Sequence, residues 1–201
     1  MIKLALAAAL LAVSSPLLAQ TTSPAAPPST ATDLVPVAID TSLGRIVVAL
    51  DRTHAPKTTA NFLAYVDAHK FDGESFYRAM PYGKGGLIQG GVTSDARKLL
   101  KPVAHEPTSE TGIHNVAGTI SMANGGPGTA TSDFFIMTVD LPALDATATD
   151  PGFAAFGHVV EGMDVVEKIL HAPVSPTKGE GVMKGQMLEP PVKIIKVSRV
   201  R

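Results

Sequence analysis

The pattern of apolar and polar positions changes its period several times after residue 33. Two short runs rich in β-branched residues, 35–40 and 45–50, are separated by Thr41-Ser42-Leu43-Gly44. Two strand-like runs joined by a short turn that contains glycine predict a β-hairpin. Farther along, Pro56 precedes a segment whose apolar residues recur at helical spacing, and this pattern ends at residues 69–73. Because proline fits the first turn of a helix, the segment predicts one amphipathic helix of about three turns.

The rest of the chain predicts mainly short strands separated by glycine and proline. A second helix is predicted over residues 164–171, just after Gly162. The candidate strands are residues 75–80, 87–89, 118–122, 134–138, 156–160 and 192–200. Many short strands with only two helices favour an antiparallel barrel or sandwich over alternating βαβ units.

The first residues of the chain have the layout of a secretory signal peptide. Lys3 is followed by an apolar run at residues 4–13 and by small residues up to Ala19. The run is shorter than the roughly 20 apolar residues that span a bilayer, although an uncleaved membrane anchor is the alternative. Residues 20–33 are rich in Thr, Ser, Ala and Pro, a composition typical of a flexible linker. We therefore expect export with cleavage near Ala19, a linker, and one folded domain over residues 34–201.

Charge and residue counts exclude several kinds of function. The net charge is −1 with no run of Lys and Arg, so we expect no nucleic-acid partner. The six histidines form no His-x-x-x-His pair and cysteine is absent, so we expect no metal site and no cofactor. The sequence contains no Gly-x-Ser-x-Gly motif, the pattern that would indicate a serine hydrolase. Nothing indicates an oligomer, and we expect a monomer.

Three segments carry short motifs in a consistent order. The first reads Phe-Tyr-Arg-Ala-Met-Pro at 76–81, followed by Gln-Gly-Gly at 89–91. The second reads Gly-Thr-Ile-Ser-Met-Ala-Asn at 118–124 and leads to Ser-Asp-Phe-Phe-Ile at 132–136. The third reads Leu-Asp at 144–145, then Phe-Gly-His-Val-Val-Glu-Gly-Met at 156–163. Together they resemble the cyclophilin family of peptidyl-prolyl cis-trans isomerases, and the export signal is similar to its bacterial periplasmic branch.

The resemblance implies a mainly β fold: a closed eight-stranded antiparallel β-barrel capped by two α-helices. It implies a groove on the outside of the barrel that binds an extended, proline-containing polypeptide client. The activity implied is rotation of X-Pro bonds during the folding of exported, periplasmic proteins. After signal cleavage we expect no stable membrane insertion.

Positions in the motifs assign the expected site residues. By resemblance, Arg78 is the catalytic cation that donates hydrogen bonds to the twisted prolyl amide, and Gln89 holds Arg78 and the substrate backbone. Phe135, Leu87 and Leu144 are expected to line the proline pocket, and Ala123 and Asn124 to present backbone groups to the peptide. The full set of predicted substrate-binding residues is Phe76, Leu87, Met122, Ala123, Asn124, Asp133, Phe135, Leu144 and Phe153.

The sequence departs from the family pattern between Pro81 and Gln89. Residues 82–88 are a longer connection than the family has, and Gly86 stands where the family carries a pocket aromatic. Three glycines in this connection predict a mobile loop. Tyr82 is the candidate to replace the missing aromatic.

Three further departures lie around the predicted pocket. Asp133 replaces a glutamine, and its carboxylate is expected to pair with Arg78, either orienting or partly quenching it. Ala143 replaces an aromatic residue, and Phe153 stands where the family has His or Tyr. These changes predict weaker or differently selective catalysis and reduced sensitivity to cyclosporin-like ligands. The alternative function is a non-catalytic proline-peptide-binding module or holdase chaperone that kept the groove and lost turnover.

Overall fold

A computed structural model describes residues 33–200. The predicted signal peptide and all of the predicted linker except Asp33 lie outside the described residues. Eight strands close into an antiparallel barrel in the order β1-β2-β7-β5-β6-β4-β3-β8, which confirms the predicted barrel. The strands are β1 Leu34–Thr41, β2 Gly44–Asp51, β3 Ser75–Tyr82, β4 Gly85–Gly91, β5 Thr119–Met122, β6 Phe134–Met137, β7 Ala155–Glu161 and β8 Met187–Arg199.

The helices are α1 Pro56–Asp67, α2 Thr108–Thr111 and α3 Met163–Leu170. The two predicted helices correspond to α1 and α3, whereas the four-residue α2 was not anticipated. No helix within residues 33–200 is long and apolar enough to cross a bilayer.

The first hairpin forms where the sequence predicts it. Thr41 pairs with Gly44 across a two-residue turn. The Thr41 hydroxyl donates to the Gly44 carbonyl at 2.7 Å and accepts from the Leu43 N–H at 3.1 Å. The local sequence therefore closes this turn with its own side chain.

Helix α1 begins at Pro56 and takes its N-terminal cap from a distant residue. Ala55 has no side chain that can cap the helix, and the buried Glu106 carboxylate accepts from the Lys57 N–H at 3.1 Å and the Thr58 N–H at 2.7 Å. A carboxylate at this end also complements the helix dipole. The helix packs its apolar face on one end of the barrel, where Phe62 lies 5.3 Å from the Phe134 ring.

Strand β6 connects the barrel core to an apolar surface outside it. Phe134 and Ile136 lie in the main core, whereas Phe135 and Met137 belong to a separate apolar cluster. Alternate residues of a strand point to opposite faces of the sheet, so β6 supplies both clusters. The outer cluster of Leu87, Phe135, Met137 and Leu141 is packed against Met80, Ala123, Val139, Leu144 and Phe153.

The connection at residues 82–88 is not the loop that its glycines predict. Strands β3 and β4 continue to Tyr82 and Gly85, leaving only Gly83-Lys84 as the turn. A side chain at Gly86 would place its Cβ 2.0 Å from the Met80 carbonyl oxygen, and one at Gly85 would lie 2.4 Å from Val139. The segment is therefore a paired hairpin and not a long loop: Gly85 and Gly86 serve its close packing, and Gly83 takes the positive φ of the turn.

Candidate active site

The outer faces of β3, β4 and β6 form one side of a cavity of about 460 Å³ on the outside of the barrel. The cavity lining contains the predicted residues Arg78, Leu87, Gln89, Ala123, Asn124, Asp133, Phe135, Leu144 and Phe153. It also contains Met80, Gly125, Thr129, Thr131 and Met183, which the sequence did not single out. The fold thus brings together residues that are spread over more than half of the described chain.

Two predicted substrate-binding residues lie elsewhere. The side chains of Phe76 and Met122 are fully buried in the main core, and the Phe76 ring packs edge-on against Phe134 at 5.6 Å. Their strand positions point inward, so these side chains have no surface with which to contact a peptide. The structure does not bring these two side chains to the cavity and places them in the packing of the barrel core, which for Phe76 agrees with a position beside the site.

The half-buried Arg78 guanidinium is held from two sides by amide oxygens. The Arg78 Nη1 donates to Gln89 Oε1 at 2.8 Å. On the other side, Nε and Nη2 donate to Gln186 Oε1 at 2.9 Å and 2.7 Å. Burial lowers the pKa of Arg78 from its ordinary value, but a guanidinium remains charged in proteins. Both acceptors are neutral, so they fix the cation without cancelling its charge.

Gln89 is itself oriented by a chain of hydrogen bonds that ends at Asp133. The Gln89 Nε2 donates to the Tyr77 hydroxyl at 2.7 Å, and that hydroxyl donates to Asp133 Oδ2 at 2.8 Å. An ionised carboxylate can only accept, so the tyrosine must donate to it and can then accept from Gln89. The amide of Gln89 consequently presents its oxygen, not its nitrogen, to Arg78.

This chain corrects the expected pairing of Asp133 with Arg78. The carboxylate reaches the guanidinium only through Tyr77 and Gln89, and it makes no direct hydrogen bond or ion pair with the cation. Burial raises the pKa of Asp133, although the hydrogen bonds from Tyr77 and Ser132 act in the opposite direction. Burial, followed by the nearby Asp133 charge, raises the pKa of the Tyr77 hydroxyl, so Tyr77 stays a protonated donor.

The apolar side of the cavity is formed by Phe135, Leu87, Leu144 and Phe153. The rings of Phe135 and Phe153 meet edge to face at 5.4 Å. The buried Asn115 fixes the segment behind them: its Nδ2 donates to Asp145 Oδ1 at 2.8 Å and to the Leu144 carbonyl at 3.1 Å. The Asn115 Oδ1 accepts from the Ser121 hydroxyl of β5 at 2.6 Å, so hydrogen bonds connect this wall of the pocket to the barrel.

Two details of the predicted groove change. The Ala123 N–H donates to the Asp133 carbonyl at 2.8 Å, so this backbone donor is not available to a peptide. Tyr82 is 60% exposed and lies outside the cavity lining, so it does not replace the missing aromatic. Met183, from the segment between α3 and β8, contributes apolar surface to the cavity.

Sequence reasoning missed the parts played by Tyr77, Gln186 and Met183. Tyr77 stands inside the first motif, next to Arg78, and its position could have indicated a role. Gln186 is 108 residues from Arg78 and belongs to none of the three motifs, so no local signal pointed to it.

Comparisons with known proteins agree with this architecture. Residues 36–199 match the family model described as cyclophilin type peptidyl-prolyl cis-trans isomerase/CLD. A peptidyl-prolyl cis-trans isomerase of Acinetobacter baylyi is 38% identical over 165 residues, covering 80% of this chain and 83% of the relative. Peptidyl-prolyl cis-trans isomerase A of Dickeya dadantii is 40% identical over 147 residues, covering 71% and 75%.

A solved structure supports the fold independently of close sequence similarity. The crystal structure of a Cryptosporidium parvum cyclophilin type peptidyl-prolyl cis-trans isomerase superposes with a TM-score of 0.66 at 22% identity, covering 84% of this chain and 99% of that one. The family match spans nearly the whole barrel, including all three motifs and the cavity. The chain belongs to the cyclophilin family and is a peptidyl-prolyl cis-trans isomerase.

Proposed function

We propose that this isomerase accelerates rotation of X-Pro bonds in exported proteins as they fold, with Arg78 stabilising the twisted prolyl amide. The observation that carries the proposal is the fixed guanidinium beside an apolar pocket. Arginine has five N–H donors, and the two glutamines of the described site occupy three of them. One N–H on each terminal nitrogen is left for a substrate.

The chemistry requires a donor at the right stage of the rotation. Amide resonance gives the peptide bond a rotation barrier of ~18–20 kcal/mol. Twisting ends the resonance, and the prolyl nitrogen becomes pyramidal with a lone pair that can accept a hydrogen bond. A cation aimed at that lone pair binds the twisted state better than either planar state, which lowers the barrier without a nucleophile or a proton transfer.

The rate enhancement that this mechanism requires is one that such a site can supply. Uncatalysed isomerisation takes ~10–100 s, and turnover in milliseconds requires an acceleration of roughly 10⁴-fold. That corresponds to about 5–6 kcal/mol of transition-state stabilisation. Hydrogen bonds from a charged donor are roughly twice as strong as neutral ones, and the partial removal of water from the half-buried Arg78 strengthens them further.

The apolar wall supports substrate binding in the same proposal. A proline ring placed against Leu87, Phe135 and Leu144 would lie beside Arg78 in one cavity. Burial of the ring holds the prolyl nitrogen near the guanidinium while leaving the preceding carbonyl free to rotate. Binding and catalysis are thus assigned to different sides of the cavity.

Exchange NMR with a short Ala-Pro peptide separates this proposal from its rival. Catalysis predicts cis/trans exchange cross-peaks at short mixing times when substoichiometric protein is added. The rival is a peptide-binding module or holdase without turnover. Chemical-shift changes that show binding, with an exchange rate equal to that of the free peptide, would favour the rival and contradict the proposal.

The export part of the proposal is supported by the charge and hydropathy layout of residues 1–19. We expect the mature protein to begin at or next to Gln20 and to be released with the periplasmic fraction. Mass spectrometry of the N-terminal peptide after fractionation tests both points. A chain that keeps its first residues and stays with the membrane would indicate an anchor instead.

A further inference from the structure

The segment between α3 and β8 places unusual apolar surface next to the catalytic arginine. It contains a single 3₁₀ turn, Gly181–Met183. Met183 lines the cavity, and the neighbouring Val182 is 86% exposed, the most of any large apolar residue in the described chain. Met183 is exposed as well, so these two neighbouring residues form one small apolar surface at the edge of the cavity.

The turn is held in place by bonds to the site itself. Gln186, which accepts from Arg78, donates through Nε2 to the Val182 carbonyl at 2.9 Å. The Ala79 N–H donates to the Gln186 carbonyl at 2.9 Å, and the Gln186 N–H donates to the Met183 carbonyl at 3.0 Å. The apolar turn and the Arg78 guanidinium therefore form one connected unit.

A third residue extends this surface on the barrel. Met80 lies two positions after Arg78 on β3, on the same outward face, and lines the same cavity. Methionine side chains adapt to ligands of different shape, and Met80 and Met183 line the cavity together with Arg78. Met80 also packs against the apolar cluster that contains Leu87 and Phe135, so this surface is continuous with the proline pocket.

We propose that Met80, Val182 and Met183 form a second apolar subsite, which takes an apolar side chain adjacent to the client's proline. The inference rests on the proposed function, because it assumes that the proline occupies the pocket beside Arg78. It names a substrate class: X-Pro or Pro-X sequences in which X is a large aliphatic or aromatic residue. Burial of such a side chain excludes Val182 from water and closes the Arg78 side of the cavity.

The test uses two pairs of peptides and one double variant. One pair carries Leu or Ser directly before proline, and the other carries Leu or Ser directly after it. We expect wild-type protein to favour Leu by about tenfold in kcat/KM in one of the pairs, the lower end for filling an apolar pocket. In Val182→Ser/Met183→Ser the preference falls below twofold. Val160→Ser, at an exposed position on β7 outside the cavity lining, keeps it.

Binding titrations of the same peptides keep this proposal separate from the catalytic one. If no peptide is isomerised, the proposed function fails, and the Leu preference is then measured in Kd. The single variant Val182→Ser changes a side chain with almost no packing and should give an intermediate preference. It therefore still tests the subsite if the double variant fails to fold. The subsite is overturned if wild type shows no Leu preference in either pair, or if the double variant retains it.

Discussion

Gln186→Met tests whether the second glutamine positions Arg78. The substitution keeps the length of the side chain and removes the acceptor of two of the three hydrogen bonds that hold the guanidinium. It leaves the bond to Gln89 intact. It also removes the bond from Gln186 Nε2 to the Val182 carbonyl, so the assay uses a short Ala-Pro peptide that has no large apolar side chain to place on that turn. The variant protein should therefore bind peptides but hold its cation less well.

The magnitude follows from the bonds that are lost. A hydrogen bond to a charged group contributes about 1.5–3 kcal/mol net. Both lost bonds share one oxygen, and Arg78 is only half-buried, so water can replace part of the interaction. We therefore take a value just below this range, about 1.4 kcal/mol, which is roughly a tenfold reduction in rate.

Exchange NMR on an Ala-Pro peptide measures the rate of isomerisation, and titration of the same sample measures the affinity for the peptide. We expect kcat to fall about tenfold in Gln186→Met, whereas the Kd of the peptide changes less than threefold. Lys196→Met, at an exposed position of strand β8 outside the cavity lining, is the control and keeps wild-type activity. A Gln186→Met protein with kcat within twofold of wild type would refute the positioning role.

Two further variants probe groups that support the site, and a third probes a buried carboxylate that stabilises the fold. Tyr77→Phe breaks the chain of hydrogen bonds between Asp133 and Gln89, so we expect kcat/KM to fall by about tenfold. Because the Tyr77 hydroxyl acts to lower the pKa of the Asp133 carboxyl, a ¹³C-detected pH titration of the variant should show that pKa rising further. Asn115→Ala leaves buried groups behind the pocket wall without partners; we expect unfolding in urea to show a loss of about 2–4 kcal/mol and titration to show weaker binding of proline peptides. Burial acts to raise the pKa of Glu74, but hydrogen bonds from Lys98 and residues 93–94 outweigh it, and the pKa is lowered. Ionised Glu74 therefore stabilises the fold at pH values above the ordinary pKa of a carboxyl group. We expect Glu74→Gln to be less stable than wild type by about 1–3 kcal/mol at neutral pH, and urea curves should show this gap closing as the pH falls through the folded-state pKa; a gap that does not depend on pH would contradict the assignment.

Elements that depend on neighbouring residues were predictable from the sequence. The first hairpin is closed by Thr41 through bonds to residues two and three positions away. Helix α1 starts at Pro56, whose fixed φ suits that position. The motif positions also indicated most of the cavity, because Arg78 and Gln89 face each other on paired strands β3 and β4.

The remaining features depend on contacts that the local sequence does not encode. The glycines at 85–86 suggest freedom when read alone, and only the packing of the hairpin shows that they are required by close approach. The effect of Asp133 on Arg78 depends on Tyr77, which intervenes between them in space. Gln186 acts across 108 residues of chain, and its partner could not be inferred from spacing or composition.

The central claim is that Arg78 acts on the twisted amide and contributes little to binding of the planar peptide. It is tested most directly by measuring exchange rate and affinity for one Ala-Pro peptide on wild type and Arg78→Ala. We predict that kcat falls at least about 100-fold, equivalent to about 2.7 kcal/mol of lost transition-state stabilisation, while the Kd changes less than threefold. An Arg78→Ala protein that retains wild-type kcat, or whose loss appears entirely in Kd, would contradict the account.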